Sequence, residues 1–109
     1  MSEYEILDPA SQPAAAATTG PAAIDLVDTV GCEEMRGKVW YLHPGDALNY
    51  HRQAEQEELY VVLEGPAQIH IAGEDHEIQT GGVVRIPPDT IRQVRNESAD
   101  SRQVWLIIG

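Results

Sequence analysis

Residues 45–65 read GDALNYHRQAEQEELYVVLEG, two β-rich runs joined by an acidic loop. His51 and Gln53 are two residues apart, so on a strand they project to the same side. Glu58 opens the apolar run Leu59–Leu63, where a hairpin partner returns beside them. One imidazole, one amide and one carboxylate are thus expected on a common face. Tyr60 and Val62 share the side of Glu58, whereas Leu59, Val61 and Leu63 face the opposite way. That second apolar face calls for a cover, and a partner subunit is the expected one.

Working outward, the same strand grammar continues to the end of the chain. Ala67–Ala72 alternates, with Ala67, Ile69 and Ile71 on one side and Gln68 and His70 on the other. Gly73–Asp75 turns, His76–Gln79 returns, and Thr80-Gly81-Gly82 turns again. Val83–Ile86 stops at Pro87-Pro88-Asp89, and Ile91–Arg95 and Val104–Ile108 are the last strands. Upstream, Lys38–Leu42 is β-rich and closes at the turn signal His43-Pro44-Gly45, after which Ala47–Arg52 forms another strand. About eight short strands at regular turn spacing predict an all-β sandwich or barrel.

The N-terminal third differs. Tyr4–Leu7 reads as an edge strand or a frayed end, and residues 9–22, PASQPAAAATTGPA, read as a linker. Three prolines and a glycine there oppose the helix that the alanines would favour. Ile24–Val30 spaces Ile24, Val27 and Val30 as a short helix that ends near Gly31. The expected division is therefore an irregular arm and Pro/Ala linker over 1–22 and a single β domain over 23–109. The folded part is nearer ~85 residues than the full length, so sharing apolar surface in a homodimer would help it.

Eighteen acidic residues against seven basic ones give a formal charge of -11. Such a surface repels phosphate backbones and anionic membranes, which argues against nucleic-acid and membrane partners. Scarce lysine and abundant Asp, Glu and Ala also resemble the composition of proteins from salt-loving microbes. Cys32 is the single cysteine, so no internal disulfide or thiolate metal cluster forms. No apolar run approaches the ~18 residues of a membrane span. The start, MSEYEILDPA, lacks the basic and apolar regions of a signal peptide, and a cytoplasmic location is expected.

Two motifs carry a resemblance to the cupin superfamily of small barrels. The family's first motif, G-x5-H-x-H-x3,4-E-x6-G, falls on Gly45, His51, Gln53, Glu58 and Gly65. Its second, G-x5-P-x-G-x2-H-x3-N, falls on Gly81, Pro87, Asp89, Arg92 and Asn96. The resemblance spans residues 36–108 and implies a jelly-roll, or double-stranded β-helix, barrel. In the family the motif histidines and glutamate hold a transition metal. Here Gln53 and Arg92 stand at two of those four positions, and only His51 and Glu58 are retained. A glutamine amide is a weak ligand, and an arginine stays protonated and cannot ligate.

The reading that follows is a metal-free pocket formed by His51, Gln53, Glu58, Arg92 and Tyr60. In it Arg92 pairs with Glu58 and anchors ligand charge, while His51 hydrogen-bonds or shuttles a proton. The expected partner is a polar or anionic small molecule, with no cofactor. One alternative is a metal-dependent dioxygenase or isomerase that holds a divalent transition metal through His51, Gln53 and Glu58. Another is a structural or interaction protein that acts through its dimer surface. Trp40 and Trp105 are expected as core or interface anchors, and His43 and His76, beside turns, as solvated side chains.

Overall fold

The structure is a computed structural model that describes residues 4–49 and 55–109. Its eight strands are β1 (Ala22–Asp25), β2 (Gly37–Leu42), β3 (Glu58–Glu64), β4 (Ala67–Ile71), β5 (Glu74–Ile78), β6 (Val83–Ile86), β7 (Arg92–Arg95) and β8 (Gln103–Ile108). They form a larger sheet in the order β1-β2-β8-β3-β6 and a smaller one in the order β5-β4-β7. Every pairing is antiparallel. The all-β jelly-roll architecture read from the sequence is the one the chain adopts.

The period of two in each strand sorts its side chains between two cores. Leu42, Tyr60, Val62, Ala67, Ile69, Ile86, Val94, Trp105 and Ile107 fill the space between the sheets. Trp105 is fully buried, and Tyr60 meets it edge-on, with ring centroids 6.1 Å apart and planes at 83°. The expected split of β3 holds: Tyr60 and Val62 point inward, and Leu59 and Leu63 are exposed on the outer face. A register shift between Val62 and Glu64 in the pairing with β8 accompanies the exposure of Leu63. Val83 on the neighbouring edge strand is exposed as well.

A second cluster covers the other half of that outer face. Ile24, Val39, Tyr41 and Val104 are buried there beneath Leu7, Ala14 and Ala15 of the N-terminal arm. Residues 9–22 are therefore packed and largely structured, against the linker expectation. Pro9–Ser11 forms a 3-10 turn capped by the Asp8 side chain, and Pro13–Ala16 forms α1. The prolines do not break these turns because each is the first residue of one, where its missing N–H has no helical partner to lose. Leu7 packs on the cluster without forming a strand.

The boundary expected at 22/23 falls inside β1, which pairs with β2 from Ala22↔Tyr41 to Asp25↔Lys38. Ile24 is thus a buried strand residue, and the helix is shorter than expected. α2 runs over Leu26–Val30, with Asp25 capping the amides of Val27 and Asp28 and Gly31 closing it at a left-handed φ of 74°. The strand expected over Ala47–Arg52 is represented by one bridge, Ala47↔Arg95; its residues 50–52 lie outside the described residues. His43, expected in solvent, has both ring nitrogens against arm carbonyls, Nδ1 to Gly20 O at 2.9 Å and Nε2 to Ala17 O at 2.7 Å. Among the described residues no helix is long and apolar enough to cross a membrane.

Gly37 marks the closest approach of β2 to β8. A Cβ there would lie 2.5 Å from Ile108 Cγ2 and 2.7 Å from the Ile107 carbonyl oxygen. Gly37→Ala is therefore expected to destabilise the fold by about 1–3 kcal/mol, measured as a fall in the urea unfolding midpoint. An unchanged midpoint would contradict this packing.

Candidate functional site

Glu58 is the first residue of β3, and Arg92 the first of β7, so one stands on each sheet. Register places Glu58 opposite Ile86 and Arg92 opposite Ile71, both with inward-facing neighbours. Across the gap the Arg92 guanidinium donates from Nη2 to Glu58 Oε1 in a short ion pair. Its Nε donates to the Tyr60 hydroxyl at 3.2 Å, and its Nη1 to the Thr90 carbonyl at 2.6 Å. The Tyr60 hydroxyl in turn donates to Glu58 Oε1 at 3.0 Å, which closes a triangle of guanidinium, phenol and carboxylate.

This arrangement answers the cost of burying a charge. Arg92 has no exposed surface, and a lone cation there would lose its hydration without return. Pairing with a carboxylate and distributing the other N–H groups offsets that loss. Among the described residues no buried side-chain polar atom lacks a partner. Burial alone would push the Arg92 pKa down, but the hydrogen bonds and charges of Glu58 and Tyr60 outweigh it and raise it. For Tyr60, burial is the leading cause and lifts the phenol to about 12; the Arg92 hydrogen bond opposes this, and the Glu58 charge adds to it.

In front of the triangle lies a cavity of about 1140 Å³. Its wall includes Glu58, Tyr60, Trp40 and Ile107, and Lys38 Nζ sits 5.4 Å from the centroid of the Trp40 ring. Asp25 at the end of β1, Asp28 of α2, and Glu33 and Arg36 in the segment after it supply a rim. Glu58 keeps a little accessible surface, with its side chain 13% exposed, so the carboxylate faces the cavity while the guanidinium stands behind it.

Of the residues singled out from the sequence, the structure unites Glu58, Tyr60 and Arg92. His51 and Gln53 lie outside the described residues. The Arg92–Glu58 ion pair forms as expected, but a direct grip of Arg92 on a ligand does not follow. All three of its nitrogens are engaged within the protein, and the side chain is sealed from the cavity. Lys38, Trp40, Arg36 and the α2 rim were not identified as site residues from the sequence. A signal existed for two of them: in KVWYL, Lys38 and Trp40 alternate with Val39 and Tyr41 and so share the inward side of Leu42. The rim carries no such pattern.

The described part of the family's donor set does not suit a transition metal. A guanidinium is at one ligand position, and the oxygen of Glu58 nearest it already accepts from both Arg92 and Tyr60.

A family model described as the cupin domain matches residues 38–109. Among solved structures, a cupin protein from Bacteroides fragilis is 28% identical, with a TM-score of 0.79 over 99% of this chain and 84% of its own. A protein from Thermus thermophilus is 27% identical, with a TM-score of 0.70 over 82% of this chain and 81% of its own. A sugar phosphate isomerase of the cupin superfamily from Silicibacter pomeroyi, 23% identical, shares the fold with a TM-score of 0.74 over 82% of this chain and 58% of its own. No curated protein matches.

Two outcomes test the triangle. Glu58→Leu alone, which leaves the fully buried Arg92 guanidinium without its carboxylate, is expected to cost about 3–5 kcal/mol in denaturant unfolding, and adding Arg92→Leu to recover much of that loss. Equal instability of the single and double variants would contradict the pairing. In an alkaline titration followed by phenolate absorbance, Tyr60 is expected to ionise near 12 rather than near the ordinary 10.0. The unfolded chain releases that proton first, so this contribution to stability is intact below pH 10 and is lost as pH rises toward 12.

Proposed function

The chain belongs to the cupin family, and from that premise we propose that its barrel binds a small polar molecule without a resident transition metal. One observation carries the reading: the buried guanidinium of Arg92 is paired with Glu58 at the position where a metal would need a neutral ligand. A fixed cation there repels a divalent ion and stabilises the Glu58 carboxylate in its place. Among the described residues Arg92 and Tyr60 donate to the carboxylate and orient it beside the cavity, where it meets a ligand's hydroxyl or amide N–H.

The aromatic wall of Trp40 and Tyr60 supports a ligand with at least one apolar or planar face. Any acidic group it carries meets Lys38 and Arg36, which line the cavity in the role first assigned to Arg92. The relatives' chemistry is theirs: a shared barrel hosts several unrelated activities, and the reaction, if any, is decided by the side chains in this cavity.

Purified without added metal, the protein is expected to hold iron, manganese, nickel, zinc and copper well below one equivalent. Screening small polyols, sugar acids and amino acids by thermal shift should yield a ligand whose stabilisation is unchanged by a chelator. Glu58→Gln and Trp40→Ala should each weaken it about tenfold or more, the range of one charged hydrogen bond or one buried ring face. Stoichiometric metal, or binding abolished by the chelator, would overturn the proposal.

A further inference from the structure

The N-terminal arm is fastened to the barrel at two points through its own backbone carbonyls. At one, Arg102 donates from Nη1 to Ala15 O at 3.1 Å while Nε and Nη2 hold Glu64 at 3.1 and 3.3 Å. At the other, His43, just past the end of β2, has Nδ1 2.9 Å from Gly20 O and Nε2 2.7 Å from Ala17 O.

Both partners of the imidazole are carbonyl oxygens, which only accept. A neutral imidazole has one N–H and one lone-pair nitrogen, so it can satisfy one carbonyl and must face the other lone pair to lone pair. The imidazolium donates to both. Asp46 Oδ2 lies 3.3 Å from Nδ1 and is itself held by the His43 amide at 2.8 Å. At the arm's other anchor, Arg102 and Glu64 pair with each other.

We propose that His43 is a protonation-controlled latch on the N-terminal arm. The imidazolium holds the arm at Ala17 and Gly20, and loss of one proton frees one of those carbonyls. The latch guards a specific surface: the arm's Leu7, Ala14 and Ala15 cover Val39, Tyr41 and Val104. On the same sheet, β8 lies between β2 and β3, with Leu106 opposite Val61, so the covered strip continues into the exposed Leu59 and Leu63. A loosened arm therefore widens an apolar face that is already partly open.

The test uses the full chain. Hydrogen-exchange protection factors for the amides of residues 14–20 are expected to fall about tenfold between about pH 5.5 and 8.5, as one charged hydrogen bond is lost, while those of β4 stay level. His43→Phe should show low arm protection that is flat across the same range. Ring 15N shifts of His43 in the unmutated protein should report two N–H groups at the acidic end, a reading that requires no variant. Arm protection that is level with pH in the unmutated chain, or a single ring N–H at pH 5.5, would overturn the latch.

Discussion

A cation buried between two sheets must be matched within reach of its own side chain, and this requirement organises the interior. Arg92 enters from the smaller sheet and meets Glu58 and Tyr60 from the larger one, so the ion pair also ties the two sheets together. Arg92 is the member that most needs the others, because its guanidinium has no exposed surface and depends on the carboxylate for its charge. The triangle is thus less a source of net stability than a constraint on which side chains may stand around it.

The same constraint shapes the cavity. Because the guanidinium is held behind Glu58, the surface offered to a ligand is a carboxylate beside two aromatic rings, not a bare cation. This buried positive charge is covalently part of the chain, and its donors are directed into the protein. Among the described residues, the positive side chains that line the cavity are Lys38 and Arg36, on β2 and just before it.

At the far end of the inter-sheet core a second polar set is neutral. The Asn96 side chain donates to the carbonyls of Leu42 and Ser101, and Gln103 donates to Gln68 and Asn96. These amides fix the loop after β7 and the entry of β8, which in turn places Trp105 against Tyr60. Polar groups at this end serve the fold, and at the other end Glu58 and Tyr60 line the cavity with Arg92 behind them. The outer face of the larger sheet is finished by the arm, whose alanines supply small apolar contacts where bulkier side chains would hold it away from the strands.

The sequence alone determined most of the strand pattern and the inward side of β3, and the resemblance to the family supplied the expected pairing of Arg92 with Glu58. The first two follow from the period of two, a local property of the chain, whereas the pairing joins residues far apart in it. It did not determine that residues 9–22 pack, because proline opposes a helix only in its interior and its position within a turn is set by what the turn rests on. Nor did it determine that Arg92 faces inward rather than toward a ligand, or that Lys38 and Trp40 line the cavity. Those depend on which strands lie across the barrel from one another, and only the tertiary structure brings together β2, β3 and β7, whose residues are far apart in the chain.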